Sequence, residues 1–174
     1  MKKIYFLNIF VFAFILIASV VTLSPVNAYA AVGWTPRTSA GQHYSLVSIT
    51  SSSDGTKLAA VDNNGFIYTS TDSGATWTQQ TNAGRRSWSS ITSSSDGTKL
   101  AAVVSSNGYI YTSIDSGATW TQQTSAGQRT WQSITSSSDG TKLAAVDNNN
   151  GYIYTYWNDL PRAKDLSITT GSNI

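Results

Sequence analysis

Few side chains in this 174-residue chain can move a proton or hold a metal. Its nine acidic residues are all Asp, His43 is the one imidazole, and there is no Cys. Without Cys there is no thiolate nucleophile, disulfide or cysteine-held metal site. A pair of carboxylates flanking a glycosidic bond is the reaction such a set could serve, so the spacing of the Asp residues decides. Asp54, Asp96 and Asp139 each precede Gly in copies of Ser-Ser-Ser-Asp-Gly-Thr-Lys. Asp72 and Asp115 sit in copies of Ser-x-Asp-x-Gly-x-Thr-Trp. Short carboxylates beside Gly bind their own turn backbone, so these five are expected to build turns. Asp62, Asp147, Asp159 and Asp165 remain, the last two in an irregular tail. The oxygen-rich runs Asp62-Asn63-Asn64-Gly65 and Asp147-Asn148-Asn149-Asn150-Gly151 lack calcium-loop spacing. No catalytic residue, metal site or cofactor is expected, and the chain is read as a non-enzyme.

The elements that carry these residues repeat. Ser90 to Val103 recurs as Ser133 to Val146 and, earlier, as Ser48 to Val61. Trp34, Trp77 and Trp120 are 43 residues apart, as are Gly65, Gly108 and Gly151. That period is one four-stranded propeller blade. In the central unit the expected strands are 88–94, 99–104, 109–113 and 119–124, joined by a tight hairpin at Asp96-Gly97 and by turns at 106–108 and 115–117. The abundance of β-branched and aromatic residues and the absence of mid-strand Pro agree. The fold expected is all-β, with about three four-stranded antiparallel blades. The units are a lone outer strand at 33–41, blades at 42–84 and 85–127, and an incomplete blade at 128–158. A polar tail follows at 159–174.

An export segment precedes the repeats. Lys2 and Lys3 open it, an apolar run from Ile4 to Leu23 follows, and Ala28-Tyr29-Ala30 has the small-x-small form of a cleavage site. A signal peptide over 1–30 is therefore expected, and with it a secreted, periplasmic or cell-surface protein. The rival is an uncleaved anchor, because the run is long enough to span a bilayer; that would be its only tie to a membrane. Residues 31–174 carry nine basic and nine acidic residues. The net positive charge of the whole chain thus belongs to the leader, and no footprint for nucleic acid remains.

Ser70-Thr71-Asp72-Ser73-Gly74-Ala75-Thr76-Trp77 and Ser113-Ile114-Asp115-Ser116-Gly117-Ala118-Thr119-Trp120 resemble the Asp-box, or bacterial neuraminidase repeat. The resemblance runs over 33–157 and implies the Asp-box β-propellers: sialidases, sortilin-type receptors, some glycoside hydrolases and proteins like the photosystem II assembly factors. It implies a structural role, in the hairpin between third and fourth strands, for Ser70, Asp72, Gly74, Thr76, Trp77, Ser113, Asp115, Gly117, Thr119 and Trp120. Similarity to sialidases would also require a Glu beside a nucleophilic Tyr, and Glu is absent from the chain. A sialidase-type hydrolase and an assembly-factor-like scaffold stand as alternatives to a binding module.

One set of loops varies between repeats. By up-and-down strand geometry, the links between units share a face with the turns between second and third strands. His43, Tyr44, Arg85, Arg86, Trp88, Arg129 and Trp131 lie in or beside the links, and Asn64, Asn107 and Asn149 lie in the turns. Loops on a rigid scaffold are where binding concentrates, and Arg and amides beside rings suit a glycan or a peptide carboxylate. Exposed loops also drift without a ligand. The opening segment at Trp34 aligns with a fourth strand, and the last unit lacks one. Three blades fall below the usual four to eight. The expectation is a head-to-tail homodimer with six blades, each Trp34 segment completing the partner's last blade. The rival is a shortened copy of a longer propeller.

Overall fold

Leu, Ala and Val fill the second stretch of each repeat, and β-branched or aromatic residues recur in the first and third, so short strands form between Gly-, Asn- and Ser-rich turns. The computed structural model describes residues 33–39, 41 and 45–157. The chain divides into two units, one ending at Thr35 and one starting at Pro36; of the first, only 33–35 are described, without a strand. The expected export segment, the tail at 159–174, His43 and Tyr44 lie outside the described residues.

The second unit holds three antiparallel meanders. The first is β1 (Leu46–Ser51), β2 (Leu58–Gly65), β3 (Ile67–Ser70) and β4 (Thr78–Gln80). The second is β5 (Arg86–Ser93), β6 (Leu100–Val104), β7 (Ile110–Ser113) and β8 (Thr121–Gln123). The third is β9 (Trp131–Ser136), β10 (Lys142–Asp147) and β11 (Tyr152–Trp157). Register repeats with the sequence. Ile67, Tyr68 and Thr69 face Gln80, Gln79 and Thr78, and Ile110, Tyr111 and Thr112 face Gln123, Gln122 and Thr121. An extra residue bulges from the first strand of every meander, at Val47, Ser89 and Gln132. Such a bulge sharpens the local twist.

Two expectations need correction. Among the described residues, 33–39 and 41 form no strand, so the lone outer strand expected at 33–41 is not formed there. The Asp-Gly hairpins are wider than two-residue turns. Ser94 N–H donates to the Lys99 carbonyl at 2.9 Å, enclosing four loop residues, and Gly97 N–H donates back to the Ser94 carbonyl at 3.0 Å. Gly97 takes φ 69° there, a left-handed conformation that glycine adopts at little cost.

The core lies between successive meanders. One cluster joins Ala59, Val61 and Ile67 of the first to Trp88, Ile91, Ala102 and Tyr111 of the second. The next joins Ala101 and Val103 of the second to Trp131, Ile134 and Ala145 of the third, with Ile110 packed against it. By repeat position these are one interface made twice. The small residues of one sheet receive the Trp and Ile of the next.

Candidate functional site

The two ends of the sheets differ in chemistry. At one end lie the Asp-Gly loops and the eight-residue hairpin loops. Asp72 accepts from the Thr76 hydroxyl at 2.6 Å, the Thr76 N–H at 2.8 Å and the Ser70 hydroxyl at 2.8 Å. Asp115 repeats this with Thr119 and Ser113 at the same distances. Those bonds favour the charged form and lower both carboxyls from 3.8 to about 2. Asp54 is held at about 2, first by the Ser52 hydroxyl and then by the Thr56 N–H. Asp96 and Asp139 are pushed further down, by Ser94 and Thr98 and by Ser137 and Thr141. Ser73 and Gly74 turn left-handed at φ 57° and 81°. The half-buried Trp120 ring closes its loop by donating Nε1–H to the Gly117 carbonyl at 2.9 Å.

These loops are also welded from one meander to the next. Lys57 Nζ donates to the Asp96 carbonyl at 3.0 Å, and Lys99 Nζ to the Asp139 carbonyl at 2.8 Å. Ser53 N–H donates to the Ser95 carbonyl, and Ser95 N–H to the Ser138 carbonyl, each at 2.7 Å. Every carboxylate at this end is spent on its own loop, so the end is structural in its residues and its geometry.

The opposite end carries the sequence differences. The backbone brings links and turns together there: Asn63 and Gly65 pair with Ser87 and Arg86, and Gly108 pairs with Arg129. Arg85 Nε donates to the Asn64 carbonyl, and Ser87 Oγ to Asn64 Oδ1 at 2.9 Å. Asn64 holds φ 67°, and Ser106 and Asn107 hold 60° and 58°. This fixes Asn64 and Asn107 at exposed turn tips. An open cavity of about 320 Å³ lies beside Asn107, lined also by Arg85, Arg86, Ser105, Tyr111 and Gln128 among others. Asn64 borders an adjoining hollow with Arg85 and Arg86.

The candidate residues separate into three groups. Arg85, Asn64 and Asn107 meet at this end with open access. Arg86 and Arg129 also reach it, but both brace the fold. Each lies over a ring, Tyr111 at 4.6 Å and Tyr154 at 4.3 Å, and donates Nε–H to the Ala83 or Ala126 carbonyl at 2.8 Å. Burial raises the Tyr111 phenol above its usual 10.0 despite the Arg86 charge. Arg129 also faces Asp147 Oδ2 at 3.7 Å, and Asp147 Oδ1 accepts the exposed Asn149's N–H at 3.0 Å. Asn149 therefore sits in a separate, self-contained turn.

Trp88 and Trp131 are corrected outright. Both are fully buried, at 0% exposure, and stack edge-on against Tyr111 and Tyr154 at 5.2 Å. They lie near the start of β5 and at the start of β9 and are packed between the sheets, so no ligand reaches them. Sequence reasoning took their difference from the first repeat as surface variation. Tyr111 and Gln122 also stand in the cavity wall; they repeat as Tyr68 and Gln79, so no difference between repeats marks them in the sequence.

No protein-family model matches the chain, and no curated protein sequence does. Solved structures match it at low identity. The GH74 enzyme of Niastella koreensis aligns with a TM-score of 0.53 and 22% identity, over 64% of this chain and 16% of that one. YCF48 bound to D1 peptide aligns with a TM-score of 0.53 and 18% identity, over 65% and 37%. The β-propeller domain of Cps50 (Swd1) from Myceliophteria thermophila aligns with 0.52 and 16%, over 64% and 38%. In each case the chain spans well under half of the relative's length. At such identity the shared property is the fold: the chain is all-β and folds as part of a β-propeller.

Proposed function

We propose that the chain is an exported, non-catalytic Asp-box propeller protein that binds a glycan or protein partner through the loop face at Arg85, Asn64 and Asn107. The cavity there carries the reading. It is open and polar, and its rim includes Arg85, Ser105 and Ser106, positions at which otherwise near-identical repeats differ. Arg85 supplies a fixed positive charge, and Gln128 and Asn107 supply amides, a set that matches a carboxylate-bearing ligand. Non-catalysis is supported by the acids. A general acid must hold its proton near working pH, and five of the nine carboxyls are held ionised in structural turns. Among the solved relatives, YCF48 is bound to a peptide, which makes acidic peptides worth testing beside sugars.

The test is an array of acidic glycans and peptides probed with the purified chain. A charge-assisted bond contributes about 1.5–3 kcal/mol, so Arg85→Ala should weaken binding roughly tenfold or more. Unchanged binding in Arg85→Ala and in Asn107→Ala would move the site elsewhere. Turnover of a fluorogenic sialoside would favour the sialidase-type alternative instead.

A further inference from the structure

The interface between meanders has two halves, and each half is left unpaired at one end of the protomer. Its giving half is Ala59, Val61 and Ile67, repeated as Ala101, Val103 and Ile110. The third copy is Ala144, Val146 and Ile153. Ile67 is fully buried, whereas Ile153 is 72% exposed. The receiving half is Trp88, Ile91 and Ala102, repeated as Trp131, Ile134 and Ala145. The first copy of that half is Leu46, Ile49 and Ala60. Ile91 and Ile134 are 4% and 6% exposed, and Ile49 is 64%.

The polar welds are unpaired in the same sense. Gly97 and Gly140 press on the Lys57 and Lys99 side chains of the preceding meander, with a Cβ site 2.8 Å from the lysine Cβ in both. Gly55, the first of the series, has nothing within 4 Å of that site. Lys142, the last of the series, lies over the Trp157 ring at 5.1 Å instead of reaching a following loop. The Ser48 and Ser90 hydroxyls accept the N–H of Ile91 and Ile134 at 3.2 and 3.3 Å. The Ser133 hydroxyl and the Ile49 N–H are the matching acceptor and donor positions at the two ends.

The missing fourth strand fits the same scheme. Ser39 Oγ donates to the Ala75 carbonyl just as Asn82 Nδ2 donates to the Ala118 carbonyl one repeat later. Gly41 N–H closes on the Thr38 carbonyl at 2.9 Å, as Gly84 does on Thr81. Thr38, Ser39 and Gly41 thus lie against the first meander as the tail of a fourth strand lies against the next. Among the described residues they pair with no strand of a blade of their own, and β11 pairs on one edge alone, with β10.

We infer that the two ends dock head to tail between two copies of this chain, closing six blades, with residues 35–37 of each copy forming the fourth strand on the partner's β11. The occupant is a second copy because both halves of the twice-made interface are present, one at each end, at matching repeat positions. Two copies bring the ring within the usual blade range. Pro36 is tolerated in such a strand because it lies on the outer edge of a sheet.

Light scattering on the purified chain tests this. The expected mass is that of two protomers. Ile49→Asp and Ile153→Asp alter exposed positions, so each should leave the circular dichroism unchanged and yield one protomer. Mixing the two variants should restore a two-protomer species, because one interface then joins two intact halves. A wild-type mass of one protomer would overturn the inference. So would a two-protomer mass that both variants keep, or a mixture that stays at one protomer.

Discussion

At the residue scale, the same side-chain types do different work according to where the sheet puts them. Five Asp residues spend their charge on neighbouring N–H and hydroxyl groups, and their folded pKa values are depressed. A depressed pKa adds stability above the unfolded value of 3.8, and that stability is lost as pH falls through the folded value. The chain should therefore hold its denaturation midpoint from neutrality down to about pH 4. It should lose stability steeply toward about pH 2, where Asp54, Asp72 and Asp115 protonate. Asp115→Asn should flatten the slope, as read from urea midpoints at several pH values. Trp88 tests packing. Replacing this buried ring with Ala should cost about 3–5 kcal/mol, while the exposed Arg85→Ala stays within about 0.5 kcal/mol. Neither Trp88 nor Trp131 has a hydrogen-bond acceptor for its indole N–H among the described residues. Trp88→Phe should then cost less than Trp88→Ala, since it keeps ring area and removes an orphan donor.

At the element scale, the strands were legible in the sequence because each is bounded by Gly, Asn or Asp and filled with β-branched or aromatic residues. The strands expected at 99–104 and 109–113 appear as Leu100–Val104 and Ile110–Ser113. The face carrying the turns was legible too, because up-and-down connectivity alternates ends. Two things were not. Trp88 lies near the start of β5, beside an Arg-rich link, and which way its ring points depends on the bulge at Ser89, a register shift that no pattern of residue types reveals. Residues 33–41 match a fourth strand in sequence, but a strand needs a neighbour, and among the described residues none pairs with them. The glycines show how far the welds between elements reach. Gly97→Ala must displace Lys57, whereas Gly55→Ala meets open space within a protomer. Both force a non-glycine into positive φ. In the Ile153→Asp background, which removes the partner, Gly97→Ala should cost about 1–3 kcal/mol more than Gly55→Ala by denaturant titration.

At the scale of the whole molecule, three near-identical units place one rigid, self-bonded loop face opposite one face where residues vary. That arrangement suits a scaffold that presents Arg85, Asn64 and Asn107 while the other end holds the blades in register. Closing six blades from two copies would bring two such sets onto one surface and give a repeating ligand two points of attachment. The ring is the central claim, and cross-strand register gives it a direct test. Thr69 faces Thr78 and Thr112 faces Thr121, so Thr155 should face Thr35 of the other copy. Antiparallel partners sit about 4.5–5.5 Å apart at Cα, within disulfide reach, and the chain has no cysteine of its own. Oxidising the Thr35→Cys, Thr155→Cys double variant should give a covalent two-protomer band on a non-reducing gel that neither single variant forms. A band that stays at one protomer would contradict the ring.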